Sequence, residues 1–190
     1  MNALITITGP TCSGKTVLQK LLEAKGLQGI VSFTTRPPRA GEVNGEHYWF
    51  MSPDRINVLD GDGRIAEKIT LGQHTYGILG QELDTKLGTG NTVVVVEPNG
   101  VAQLTKYCTD NNLRLIRVYV CNPAIVNIAR LLKRHADNPD QTFDTAQRVI
   151  SLMTVEQSWL YQSDYELIFN RFDSGCQDSV VDSILEMLEE

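Results

Sequence analysis

Residues Gly9-Pro10-Thr11-Cys12-Ser13-Gly14-Lys15-Thr16 fit the spacing G-x-x-x-x-G-K-[ST] of a phosphate-binding loop. Gly9 and Gly14 let the backbone come close to an anion and aim its N–H groups at phosphate oxygens. A helix beginning just after the loop adds partial positive charge at its N-terminus. In such a loop Lys15 is suited to reach the β- and γ-phosphates, and the Thr16 hydroxyl to ligate Mg²⁺. Gly9, Thr11, Cys12, Ser13, Gly14, Lys15 and Thr16 are therefore expected to bind a nucleoside triphosphate. The loop does not say what the triphosphate is used for.

Other cations stand at suggestive spacings. The stretch Thr34 to Gly45 carries Arg36 and Arg39 beside the stiff pair Pro37-Pro38, a loop composition suited to an anion clamp. Arg130, Lys133 and Arg134 cluster on one helical segment. Arg130 has no carboxylate among its helical neighbours Val126, Asn127, Lys133 and Arg134, which favours an anionic partner. Arg134 has Asp137 within reach, and Arg148 has Asp144 one turn back. Glu97 ends a strand-like run at the position where α/β folds bind ligands, or else is simply the acid that starts a helix at Pro98.

The elements that must position these groups alternate between strands and helices. Ala3 to Thr8 reads as a buried strand and Val17 to Leu22 as a helix. Ile30 to Phe33 and Glu46 to Met51 read as short strands. Ser52-Pro53-Asp54 starts a helix to about Leu59. Arg64 to Thr70 is a strand, His74 to Gly77 a strand or turn, and Ile78 to Leu87 a helix. Thr92 to Val96 is β-branched without alternation, the pattern of a parallel strand buried on both faces. Helix Val101 to Asp110, strand Leu113 to Val120 and a helix opened by Pro123 follow. Ala136 to Gln141 is a polar loop with no apolar anchor. A long helix starts at Thr142 and extends as far as Trp159-Leu160, then come strand Asp164 to Asn170 and a closing amphipathic helix around Val180 to Leu188.

The chain of 190 residues predicts one domain with inserted subdomains. A net charge of −6 argues against nucleic-acid or anionic-membrane partners. No apolar run approaches a membrane span, and a strand from residue 3 leaves no room for a signal peptide. Cys12, Cys108, Cys121 and Cys176 lack C-x-x-C spacing and read as reduced thiols in a cytoplasmic protein. The three histidines are scattered, so neither residue type suggests a metal centre.

The phosphate loop together with Val31 to Tyr48 resembles the guanylate kinase family, whose signature is roughly S-x-T-T-R-x-P-R-x-G-E-x-x-G-x-x-Y. The resemblance extends to Glu67, Tyr76-Gly77, the arginines of 123–148 and Tyr165 to Asn170. It implies an α/β fold: a three-layer P-loop core with a five-stranded parallel sheet, an inserted β-rich NMP-binding subdomain and a small helical lid. The expected boundaries are core 1–32, 79–126 and 149–190, subdomain 33–78 and lid 127–148. The implied reaction is transfer of the ATP γ-phosphoryl group to GMP or dGMP with Mg²⁺, by a monomer or homodimer. By this resemblance Ser32, Arg36, Arg39, Tyr48 and Tyr76 hold the acceptor's phosphate, and Glu67 reads the guanine edge. Lys15, Arg130, Arg134 and Arg148 serve the transferring group, and Thr16 the metal.

Two positions depart from the family pattern. Ile78 stands where a Ser or Thr usually helps hold the base. Val95 replaces the first acid of D-x-D-x-x-G, while Glu97 keeps the second. A different or modified (d)NMP is accordingly an alternative acceptor. A non-catalytic guanylate-kinase-like binding module and a kinase of another small phosphorylated metabolite are further alternatives.

Overall fold

The computed structural model describes residues 2–39, 41–71, 73–136, 142–173 and 175–189. Strands β1 (Ala3–Thr8), β2 (Gln28–Gly29), β7 (Thr92–Val95), β8 (Arg114–Val120) and β9 (Leu167–Phe169) form a five-stranded sheet in the order β2-β7-β1-β8-β9. All its pairings are parallel. Strand β1 lies at its centre and is buried along its whole length. Alternation of side chains about β1 feeds two apolar layers. Ala3, Ile5 and Ile7 pack with Leu18 and Leu22 of α1 (Lys15–Ala24) and with Val180, Val181 and Ile184 of α7 (Gln177–Glu189). Leu4 packs on the opposite face with Leu83 and Leu87 of α3 (Gly80–Thr89) and Leu104 and Cys108 of α4 (Pro98–Asp110). Helices thus cover both faces of a parallel sheet, the expected three-layer core.

A second sheet, in the order β4-β3-β6-β5, is built from β3 (Phe33–Thr34), β4 (Trp49–Phe50), β5 (Ile65–Leu71) and β6 (His74–Leu79). Helix α2 (Pro53–Gly61) is inserted between β4 and β5. The Ser52 hydroxyl caps it by accepting from Arg55 N–H, with Pro53 in the first turn, as the sequence suggests. Helices α5 (Ala124–His135) and α6 (Thr142–Met153) follow β8, and a 3₁₀ helix spans Glu156–Tyr161.

Several boundaries differ from the sequence reading for identifiable reasons. Of the strand expected over Ile30 to Phe33 only Phe33 is strand, because the chain leaves the parallel sheet after Gly29 and joins the second sheet at Phe33. Between Glu46 and Met51 only Trp49–Phe50 is strand; turns fold the preceding residues back, with His47 and Glu46 N–H groups both bonded to Val43 O. The helix expected from Ile78 begins at Gly80, since β6 stays paired with β5 up to Leu79 opposite Ile65. The helix expected to run from Thr142 toward Trp159-Leu160 stops at Met153 and resumes as the 3₁₀ turn, so that Glu156 points inward. The polar stretch 137–141, including Asp137, lies outside the described residues, as does the side chain of Asp144.

Candidate active site

Two clefts open at the carboxyl ends of the parallel strands. The first, of about 470 Å³, is lined by Thr11, Cys12, Gly14, Lys15 and Thr16 of the phosphate loop, and by Arg130, Arg134 and Arg148. Phe172, Asp173 and Gln177 close its other side. The loop runs straight off β1, and its Gly9 has φ +154°. A Cβ at Gly9 would lie 1.9 Å from Val120 O on the neighbouring strand, so only glycine permits this close passage. Cys12 is one of two described non-glycine residues with positive φ, at 62°. Asn122 ties the loop to the chain after β9, donating to Ser13 O and accepting from Phe172 N–H.

Lys15 begins α1, and its ammonium donates to Gly9 O at 2.6 Å and Pro10 O at 2.8 Å. Burial lowers its pKa to about 8, against the opposing pull of Glu156 first and then Cys12 and Glu97. Arg130 donates to Cys12 O at 3.2 Å and Phe172 O at 3.1 Å. Two backbone carbonyls thus hold it in place at the edge of the cleft. Arg134 and Arg148 reach the same cleft from α5 and α6.

The second cleft, of about 360 Å³, is lined by Ser32, Arg36, Arg39, Tyr48, Glu67, Tyr76 and Glu97, together with Glu42, Ile69, Gly77, Val95 and Val96. Arg36 is more elaborately held than its sequence suggests. It makes a bidentate pair with Glu42 at 2.9 and 2.8 Å, and its guanidinium lies 5.6 Å from the Tyr48 ring centre and 5.8 Å from that of Phe50. The pair holds the Glu42 carboxyl down at about 2. Arg39 is exposed, and its backbone N–H also donates to Glu42.

At the other end of this cleft Glu67 is 5% exposed. Its carboxyl approaches α4 where residue 100 is glycine: a Cβ there would lie 3.0 Å from Glu67 Oε1. Burial, then the charge of Glu97, raises Glu67 to about 7. Glu97 occupies the N-cap position of α4 without making a capping bond, and it also lines the cleft.

Ile78 does not line either cleft. It is 1% exposed and packs with Leu4, Ala66, Leu83 and Val94, although it pairs with Glu67 across β5 and β6. The remaining candidate residues line the two clefts, except Gly9 and Ser13, which shape the loop beneath the first.

Two acids escaped the sequence reading as site residues. Glu42 sits inside the arginine loop three residues beyond Arg39, a spacing that signals a partner for the clamp. Glu156 accepts from Thr11 N–H at 2.5 Å and is buried at the start of the 3₁₀ turn that follows α6. The break after Met153 turns it inward, and no local pattern in the sequence marks it.

The chain matches the Guanylate kinase family model over residues 1–190. It is similar to the guanylate kinase of Rhodospirillum rubrum, 28% identical over 178 residues that cover 92% of this chain and 79% of that protein. It is also similar to the guanylate kinase of Bifidobacterium longum, 29% identical over 179 residues that cover 92% of this chain and 90% of that protein. The crystal structure of guanylate kinase from Anaplasma phagocytophilum shares the fold, with a TM-score of 0.65 at 17% identity, covering 99% of this chain and 85% of that one. With the family matched from end to end and its fold present, the chain belongs to the guanylate kinase family.

Proposed function

We propose that this protein transfers the γ-phosphoryl group of ATP to the phosphate of GMP or dGMP. The observation that carries the reading is the pairing of the clefts. One joins a complete phosphate loop to three arginines; the other has arginines and tyrosines at one end and a buried carboxyl at the other. Phosphoryl transfer asks chiefly that two anions be brought into line and their spread charge stabilised. Lys15, Arg130, Arg134 and Arg148 surround the donor's phosphates in this reading. Ser32, Arg36, Arg39, Tyr48 and Tyr76 hold the acceptor's phosphate, leaving the base beside Glu67 and Glu97. The corresponding division is a core of 1–32, 79–126 and 149–190, an acceptor subdomain of 33–78 and a lid of 127–148.

The Thr16 hydroxyl lines the donor cleft and is the protein oxygen offered to Mg²⁺. Among the described residues no group of three His, Cys, Asp or Glu could hold a metal ion. That donor set suits an ion that keeps several waters and is held largely by phosphate oxygens, whose charge it offsets when bound. No described helix is long and apolar enough to cross a membrane. The four cysteines are free, which supports a cytoplasmic setting. The proposed assembly, a monomer or homodimer, is checked by light scattering.

A panel of ribo- and deoxyribonucleoside monophosphates assayed for ADP release tests the reading. GMP and dGMP should rank well above the rest; a preference for another base would redirect it. Absence of turnover despite MgATP binding would favour a binding module.

Glu67 gives a sharper test. The pairing edge of guanine offers two adjacent N–H donors, which an ionised carboxylate accepts and a protonated carboxyl does not. With the Glu67 pKa raised to about 7, its neutral form dominates below that pH. The kcat/KM for GMP should therefore climb between about pH 6 and pH 8. A profile flat through this range would mean that Glu67 is already ionised at pH 6, and its substitution then decides its role. Glu67→Gln should cut the preference for GMP over AMP by ~10²-fold and leave the KM for ATP within about threefold. An unchanged preference would make Glu67 structural.

A further inference from the structure

Glu156 is a buried acid that this phosphate-transfer scheme does not use. It is 3% exposed and forms no ion pair among the described residues. Leaving a carboxylate in such a place is costly unless donors surround it. Three do. Thr11 N–H donates to Oε2 at 2.5 Å, while the Thr11 and Ser151 hydroxyls donate to Oε1 at 3.3 and 2.7 Å. A neutral glutamine keeps one acceptor oxygen and could meet the two hydroxyls only by turning them into acceptors of its amide N–H groups.

The donors come from two different parts of the site. Thr11 belongs to the phosphate loop that carries Lys15. Ser151 lies in the last turn of α6, three residues and so one helical turn beyond Arg148. One carboxylate therefore joins the loop to the helix that brings an arginine into the donor cleft. The helix breaks at Met153, and the following 3₁₀ turn delivers Glu156 to that junction.

We propose that Glu156 is a positioning residue that locks the phosphate loop and the Arg148 helix in one register, so that the donor-side cations assemble as a unit. This rests on the kinase reading of the site. Glu156 then acts through Thr11 and Ser151, and its loss disturbs the donor side while sparing the acceptor cleft.

The test is a double-mutant cycle between Glu156→Ala and Arg148→Ala, with Glu156→Gln as a milder variant that keeps one acceptor. Glu156→Ala should lower kcat ~30-fold and leave the acceptor's KM within about threefold. The double variant should lose no more than ~3-fold beyond the worse single variant, because Arg148 is already misplaced without Glu156. Losses that multiply would overturn the proposal, as would an effect confined to the acceptor's KM. Two readouts do not need turnover. The cycle is repeated on the Kd for MgATP by calorimetry, where the same non-additivity is expected. Amide exchange at Thr11 in the free protein should quicken at least ~10-fold in Glu156→Ala, which removes the acceptor; unchanged protection would overturn the proposal. A wild-type protein that phosphorylates no monophosphate would defeat the kinase reading alone, since amide exchange and MgATP affinity still judge Glu156.

Discussion

Lys15→Ala is expected to lower kcat by ~10³-fold or more, with the melting temperature changed by only a few degrees. Activity should collapse because this ammonium belongs to the loop that faces the donor phosphates. Its two acceptors are carbonyls of that same loop, Gly9 O and Pro10 O, so it is already aimed inside the cleft. Burial that lowers its pKa to about 8 also makes the cation less well solvated, which strengthens its attraction to an incoming phosphate. The fold should survive because Lys15 is the first residue of α1 and, among the described residues, its ammonium bonds nothing outside the loop. Alanine is moreover the best helix former. ADP release and a circular-dichroism melt check the two halves. A loss below tenfold would take Lys15 away from the transferring group.

Arg36→Ala should raise the acceptor's KM by ~10²-fold, and Arg39→Ala by only ~10-fold, with the KM for ATP within about threefold in both. The two arginines look equivalent in sequence, but their surroundings rank them. Arg36 is fixed by a bidentate pair with Glu42 and by the rings of Tyr48 and Phe50, so little ordering remains to be done when phosphate arrives. Arg39 is exposed and must be ordered. Removing Arg36 also uncovers the Glu42 carboxylate, which lines the same cleft and would repel the phosphate. The double variant Arg36→Ala/Glu42→Ala should therefore regain part of the loss. Arg36→Lys should recover little, because one ammonium cannot reproduce the two-pronged pair. Steady-state kinetics with GMP varied at saturating ATP decide the ranking. Equal effects of the two single variants would make the Glu42 brace irrelevant to binding.

The sequence alone determined whatever depends on local pattern. The strand–loop–helix at Ala3 to Ala24 was legible because an apolar run, a glycine spacing and a helical period follow one another within a few residues. The unalternating run from Thr92 announced a strand buried on both faces, and it is one. The P-loop and arginine signature together pointed to the family because each is a spacing rule within a single stretch of chain. The cap of α2 was legible for the same reason.

What only the tertiary structure decided is what depends on residues distant in the chain. Thr11 and Glu156 are 145 residues apart, and no periodicity within either segment says that they meet. Glu67 is an ordinary strand acid until α4 closes over it and Gly100 makes room for its carboxyl. Ile78 looked like a residue beside the base by its place after Tyr76-Gly77, yet the helices packed over β6 bury it in the core with Leu4, Leu83 and Val94. Sequence spacing names the groups able to handle phosphate. Burial and partners set by the assembled sheet and helices determine which of them are charged, which are braced and which face the cleft.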